Sequence, residues 1–290
     1  MGRLFAHHSH LALSVIGQRR DALTVAAVIC ASTVLSGCGG ANSAETIPTV
    51  ATSSTAPARA TTSGAINAGA SFVSGQIAGI DAASLTIGDY LARNWGIAEL
   101  SGAREAARAR MASPDLSDDE RLLARLVDPT ASALDPIAEG AEPTTAVLAS
   151  ALHCDVAPWS PVESEAARTL AEGGGYQTTH AALAVQWMAE LRCAPEESGR
   201  LRADIIESVA DELDRATEVT DLAVEQSSIL LYLGAGDRIP QGWSKRVRSV
   251  QRSDGGWGPT ASNWHMTLLA IWTLAGLDRA GSGVSMVAPS

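Results

Sequence analysis

The side chains of this sequence that are best suited to chemistry are two histidines and an aspartate near the starts of apolar segments. His180 and His265 each precede a leucine by three residues and a tryptophan by seven, and Asp221 begins a third apolar segment. A helix N-terminus carries partial positive charge, so we expect imidazoles placed there to be neutral. Neutral imidazoles together with a carboxylate can bind zinc or ferrous iron, and the same groups can transfer protons. His180, Asp221 and His265 are therefore the candidates for a catalytic or metal site.

The same three residues also have simpler interpretations. The helix dipole favours an acidic residue in a first helical turn, which accounts for Asp221 without any ligand. His180 and His265 can equally cap a helix or pack beside the aromatic turns that precede them. The choice between these interpretations depends on whether the fold brings the three residues together.

An internal repeat predicts how the three residues are positioned. The segments that begin at His180 and His265 are 85 residues apart, and a glycine pair followed by an aromatic residue precedes each of them. Apolar segments alternate with amphipathic ones at a period near 40 residues. This alternation predicts helical hairpins around a common centre, with the apolar helices inside and their capped starts at one rim. The predicted N-caps are Thr144, Thr179, Thr220 and Ser262. An open α-solenoid is the alternative architecture.

The turn before the last apolar segment carries a motif with a known relative. Gln251 is followed by Asp254, two glycines and Trp257, and glycines in such a turn adopt positive φ at little cost. This run resembles the QW repeat of terpene cyclases, which recurs in protein prenyltransferase β-subunits and other α/α-toroid proteins. The resemblance implies an all-α fold: a partial α/α toroid of about four to five helical hairpins in residues 81–278. It also implies zinc as the metal to consider, because residues 263–268 are similar to the prenyltransferase segment that supplies a zinc-binding histidine, with His265 as the counterpart.

Residues 1–38 look like a bacterial lipoprotein signal peptide. Arg19 and Arg20 precede an almost uncharged apolar run at 22–35, and the sequence Leu-Ser-Gly-Cys at 35–38 resembles a lipobox. This pattern predicts export and attachment to the cell membrane through a lipid, such as palmitate, on Cys38. A plain secretory signal and a true membrane anchor are the alternatives. Residues 39–80 are predicted to be a disordered tether because they are rich in Ala, Thr, Ser and Gly, and residues 279–290 are predicted to be a flexible tail.

Two cysteines remain in the predicted folded body, Cys154 and Cys193. An even pair in an exported domain favours a disulfide, since each follows an apolar helix and those two helices are predicted neighbours. Two free thiols, or a metal held by a cysteine together with His153, are the alternatives.

Charge and missing motifs limit the function classes. The net charge is −11 and Lys245 is the single lysine, which argues against nucleic acid or an anionic membrane surface as a partner. The sequence contains no phosphate-binding loop, serine-hydrolase elbow, zinc-protease helix or dinucleotide fingerprint. We therefore favour an exported, lipid-anchored protein that binds a small molecule or a protein at the shared rim. A metal-dependent enzyme that uses His180, Asp221 and His265 with zinc is the second hypothesis, and a structural module of the cell envelope is the third.

Overall fold

The computed structural model describes residues 61–114, 116, 120–121, 124–131 and 142–287, and the regular elements within these ranges are helices. The prediction of an all-α fold is confirmed. The described α-helices, in chain order, are α1 (Thr62–Ser74), α2 (Ala82–Trp95), α3 (Ala103–Met111), α4 (Pro143–Leu152), α5 (Pro161–Glu172), α6 (Gly175–Glu190), α7 (Ser198–Asp214), α8 (Asp221–Tyr232), α9 (Trp243–Ser249) and α10 (Trp264–Asp278). The signal-peptide region, Cys38 and residues 39–60 of the predicted tether lie outside the described residues. No helix within the described ranges has both the length and the apolar character that crossing a membrane requires.

The helices are of two kinds, and their sequences explain the difference. The central ten residues of α10, 266–275, are all buried, as expected for a helix that is apolar on every side. In α7, by contrast, Ile205, Val209 and Leu213 recur every fourth residue and bury only one face. Helices of the first kind form the interior, and helices of the second kind cover it.

Five helices, α2, α4, α6, α8 and α10, each contribute side chains to one cavity, and we call them the cavity helices. They pack against one another in the order α4, α6, α8, α10, α2. The remaining helices lie against these neighbours: α5 contacts α4 and α6, α7 contacts α6 and α8, α1 and α9 contact α10, and α3 contacts α2. The last cavity helix along the chain, α10, therefore packs beside the first, α2.

The first helix corrects the predicted tether, which was placed at residues 39–80. Helix α1 begins at Thr62, after Thr61 accepts a hydrogen bond from the backbone N–H of Gly64, and it buries Ile66 and Val73 against the core. Its small residues serve close packing: a Cβ at Gly69 would lie 2.7 Å from the ring of Trp257. The Ala- and Gly-rich composition that suggested disorder is here what allows a helix to approach a tryptophan closely.

The Gln251–Trp257 turn fastens α1 to the rest of the fold. The Gln251 amide donates hydrogen bonds to the carbonyls of Ala65 and Gly255, at 2.8 Å each. Trp257 is fully buried and its indole N–H donates to the Val247 carbonyl at 2.8 Å. Gly255 has a φ of 91°, and a Cβ there would lie 2.6 Å from the Ala68 carbonyl oxygen. The motif thus needs its glycine, and it joins the turn at 251–257 to α1.

The predicted flexible tail, residues 279–290, also differs from the structure over its described part. Met286 and Val287 are 3% and 2% exposed, because the chain from 281 to 287 lies over the C-terminal ends of α2 and α6. The side chains of Asn94 and Glu190 hold this segment by accepting hydrogen bonds from its backbone. The composition of the segment does not reveal these distant partners, and it therefore suggested a free end.

Cys154 and Cys193 form a disulfide with their Cα atoms 5.8 Å apart. Cys154 follows the end of α4 and Cys193 follows the end of α6, so the bond joins two neighbouring cavity helices at the same end.

Candidate functional site

A cavity of about 300 Å³ lies among the cavity helices, and its wall is predominantly apolar. Leu126 and Met286 add to the lining from outside those helices. Apolar lining residues include Leu148, Leu183, Trp187, Leu269 and Trp272, and polar ones include Asp81, His180, Glu225, Ser228 and His265.

The two ends of the cavity differ in chemistry. Charged and imidazole groups stand at the starts or in the first two turns of their helices, whereas Trp187 and Trp272 lie about two turns further along. We call the polar end the mouth, which consists of Asp81, His180, Asp221, Glu225 and His265. We call the opposite end the floor, which consists of Trp187, Trp272 and Met286.

The three residues singled out in the sequence lie at the mouth. Nδ1 of His265 is 3.3 Å from Oδ1 of Asp221, and His180 lines the same cavity as His265. Three of the four helix starts differ from the predicted caps. Thr220 caps α8 as predicted, but Glu142 rather than Thr144 caps α4, and Asn263 rather than Ser262 caps α10. Thr179 lies inside α6, which begins at Gly175. His180 is consequently one turn deeper in its helix than the sequence suggested.

Asp221 and His265 form a pair whose electrostatics depart from the neutral imidazole expected at a helix start. Burial opposes the charge on each group, but their mutual hydrogen bond and attraction prevail. The pKa of Asp221 is therefore lowered and the pKa of His265 is raised. Tyr176 adds to the pair, since its hydroxyl donates to Oδ2 of Asp221 at 2.9 Å. Nearby carboxylates thus outweigh the helix dipole at His265.

Glu225 is the functional candidate that the sequence analysis missed. It follows Asp221 by one helical turn on α8, is 7% exposed, and places Oε2 4.0 Å from Nε2 of His265. Burial raises its pKa, against the hydrogen bond that the Thr179 hydroxyl donates to it and against the positive charges of the nearby imidazoles. A glutamate inside an otherwise apolar helix was the sequence feature that could have revealed it, because such residues are seldom buried without a role or a partner.

His180 presents a defined nitrogen to the cavity. Its Nδ1 lies 2.6 Å from the carbonyl oxygen of Tyr176. A carbonyl can only accept a hydrogen bond, so Nδ1 carries the proton and Nε2 of a neutral ring is left as an acceptor.

Within the described part of the chain, Asp221, Glu225 and His265 form a group of potential metal ligands. One ligand atom from each lies within 4.8 Å of the other two. His180 stands outside this group, so the predicted set of His180, Asp221 and His265 is brought to one mouth but not into one coordination shell. A divalent cation could bind one ring nitrogen of His265 together with a carboxylate. The imidazole of His265 could also relay a proton between Asp221, which faces Nδ1, and Glu225, which faces Nε2.

The floor consists of aromatic and sulfur-containing side chains. The ring of Trp272 is 4.9 Å from that of Tyr90 and 5.4 Å from that of Tyr232. Tyr90 also contacts Tyr232 and Trp95 edge-on at 5.6 Å. These four rings form an aromatic cluster that holds Trp272 in place, and Met286 also lines this end of the cavity.

No protein-family model, curated protein or solved structure matches this chain.

Proposed function

We propose that this protein binds a small, mostly apolar molecule in the cavity, with an amine or hydroxyl group of that molecule at the mouth. One observation carries this proposal: a single cavity has apolar walls, an aromatic floor and a cluster of hydrogen-bonding groups at one end. Largely apolar pockets with a few convergent polar groups are the usual form of small-molecule sites. A structural module without a ligand would be expected to fill this space with side chains.

The volume sets the size of the ligand. A cavity of about 300 Å³ is at the lower end of the range for ligand pockets. At about 30 Å³ for each water-sized occupant, it accommodates roughly ten non-hydrogen atoms. A molecule of this size with one polar group would fill the cavity from mouth to floor.

The charges at the mouth select the polar group. Asp81 and Glu225 line the cavity, Asp221 contacts His265 beside them, and the lining formed by the described residues includes no lysine or arginine. Asp81 is already engaged, because it caps α2 and accepts the indole N–H of Trp264. Glu225 remains as an acceptor for a donor group, and Nε2 of His180 is a second acceptor when that ring is neutral. An anionic head would face the carboxylates of Asp81 and Glu225, and the imidazole of His265 is already paired with Asp221, so burying a second negative charge there is costly.

Binding of three eight-carbon probes tests the proposal. We expect octylamine to bind best, 1-octanol less well and octanoate at least about tenfold more weakly than octylamine, because the last is repelled at the mouth. Isothermal titration of the purified full-length chain measures all three. Equal affinities, or the tightest binding for octanoate, would contradict the proposal.

A matched pair of variants locates the site. Glu225→Gln removes the buried charge at the mouth and should reduce the preference for octylamine over octanol. Glu207→Gln makes the same chemical change on the exposed face of α7 and should leave that preference unchanged. If both variants behave alike, the amine does not bind at the mouth.

Divalent-metal binding is the second candidate function, and the ligand group Asp221, Glu225 and His265 favours it. Zinc takes nitrogen and oxygen ligands at about 2.0–2.2 Å, and these three residues supply both. A zinc ion held there would polarise a bound ligand or water. Elemental analysis of protein purified without chelators tests this: stoichiometric zinc that is lost in His265→Ala, with the helical circular dichroism retained, would support a metal-dependent function.

We also propose that the fold is an α/α toroid of the kind that the QW-like motif implies, and that Cys38 carries a lipid after export. Five cavity helices packed in series around one cavity support the first part. The second part rests on the sequence of residues 1–38. Mass spectrometry of the protein from membranes should detect acylated Cys38, and Cys38→Ser should abolish the modification and release the protein from the membrane fraction.

A further inference from the structure

The floor of the cavity is completed by a segment that belongs to none of the cavity helices. Residues 281–287 follow α10, and Met286 from this segment lines the cavity. Met286 and its neighbour Val287 are both buried, but Val287 is absent from the lining. One side chain from outside the cavity helices thus forms part of the cavity wall.

Two anchors hold this segment in place. The Asn94 side-chain oxygen accepts from the backbone N–H of Gly283 at 2.9 Å, and the Asn94 carbonyl accepts from the backbone N–H of Ser282 at 2.9 Å. At the other end, Oε2 of Glu190 accepts from the backbone N–H groups of Met286 at 3.1 Å and Val287 at 3.2 Å. The backbone on either side of Met286 is therefore fixed, and the position of its side chain follows.

The depth of the cavity is set along α6. His180 at the mouth and Trp187 at the floor are seven residues apart on this helix. At a rise of 1.5 Å per residue, the two levels are about 10 Å apart. A linear molecule with its polar group at the mouth must therefore point its far end towards Met286.

We propose that Met286 sets the maximum length of the ligand. The inference rests on the proposed function, because it takes the polar group of the ligand to be held at the mouth. Methionine is unbranched and adapts to the space left by its neighbours, so it closes the floor without a rigid shape of its own. Shortening it should admit a longer chain, and enlarging it should exclude the longest chains that the natural protein accepts.

A series of linear 1-aminoalkanes with four to twelve carbons tests this directly, with affinities measured by isothermal titration on the full-length chain. In the natural protein each added methylene should tighten binding about fourfold until the chain meets the floor, and longer chains should gain nothing or bind more weakly. Met286→Ala removes three non-hydrogen atoms and should move this maximum about three carbons higher. Met286→Trp should move it lower.

Val287→Ala is the matched control. It truncates a neighbouring side chain that is equally buried in the same segment but does not line the cavity. It should leave the length maximum where it is, which separates the effect of the floor from a general loosening of the segment. Circular dichroism and thermal unfolding of each variant check that the helices are retained.

The outcomes distinguish the two proposals. If the series binds with a maximum that Met286→Ala and Met286→Trp do not move, or that Val287→Ala moves equally, the length inference is wrong and the proposed function stands. If no member of the series binds the natural protein, the proposed function is wrong and the length inference falls with it.

Discussion

Helices α6 and α10 contribute to both the mouth and the floor of the cavity, yet the two ends are stabilised in different ways. At the mouth, Asp221 and His265 are joined by a hydrogen bond while both remain partly accessible to solvent, with side chains 29% and 40% exposed. At the floor, Trp272 is 2% exposed and touches two tyrosine rings. One end holds its groups by polar contacts, and the other end holds them by close packing.

This difference separates recognition from stability along one set of helices. Tightly packed aromatic side chains contribute large free energies of unfolding, whereas a half-exposed ion pair contributes little. Substitutions at the mouth should therefore change what the protein binds more than whether it folds. Substitution of the packed Trp272 at the floor should do the reverse, whereas Met286 comes from a separate segment and should affect the length of the ligand.

The largest expected effect is at the floor. Trp272→Ala should lower the free energy of unfolding by about 3–5 kcal/mol, because it leaves a void next to the existing cavity and removes the contacts of the indole ring with Tyr90 and Tyr232. Urea denaturation followed by circular dichroism measures the loss. A loss below about 1 kcal/mol would contradict the claim that packing at the floor contributes more to stability than the polar contacts at the mouth.

A smaller effect is expected where the C-terminal segment is anchored. Glu190→Ala should cost about 1–3 kcal/mol, because the backbone N–H groups of Met286 and Val287 lose their acceptor. Trypsin should then cut after Arg279 faster than in the natural protein, which mass spectrometry detects as loss of residues 280–290. Glu190→Gln keeps one acceptor oxygen, so its rate of cleavage should lie between those of the natural protein and Glu190→Ala. Equal rates for all three proteins would show that Glu190 does not hold the segment.

At the mouth, Glu225→Gln should stabilise the protein, by about 1 kcal/mol at pH 8. Burial raises the pKa of Glu225, so the folded protein binds this proton more tightly than the unfolded chain does. The stability of the natural protein consequently falls as pH rises above the usual glutamate pKa of 4.5, whereas that of the variant has no such dependence. Urea denaturation at pH 4 and pH 8 measures the difference between the two proteins, which should be near zero at pH 4. A difference that is the same at both values would contradict this account.

The smallest expected effect is on the Asp221–His265 pair. The raised pKa of His265 means that the pair contributes stability fully below pH 6.5 and loses that contribution as pH rises through the pKa of the folded state. His265→Gln should cost less than about 1 kcal/mol at pH 5.5, since the ring is partly exposed, and close to nothing at pH 9. Thermal unfolding at both pH values tests this. In an Asp221→Asn background the cost at pH 5.5 should shrink, and an unchanged cost would rule out the pair as its source.

The sequence was informative where periodicity and capping act locally. The apolar segments beginning near residues 180, 221 and 265 are helices, and Thr220 caps one of them as expected. The histidine repeat also placed His180 and His265 on one cavity, because residues at equivalent positions of repeated hairpins tend to share a face. The sequence did not reveal Glu225, whose importance comes from contacts with Thr179 and His265 on two other helices.

The predictions of a disordered tether over helix α1 and of a flexible tail over residues 281–287 were wrong for a related reason. Helix α1 has a composition typical of a linker, and its stability comes from Trp257 and Ile271, which are far away in sequence. The segment with Met286 has no periodicity, and it depends on Asn94 and Glu190 for its position. Composition describes what a segment can do alone, so partners supplied by distant residues are invisible to it.

The hydrogen bond from Gln251 to Ala65 spans 186 residues and has a consequence for synthesis. Helix α1 is therefore synthesised well before its partners in the turn at 251–257 and in α10. It can dock only after those segments have left the ribosome, and contacts between such distant residues form slowly. Docking of α1 should accordingly be a late step of folding, so a nascent chain that ends before residue 251 leaves the buried face of α1 exposed.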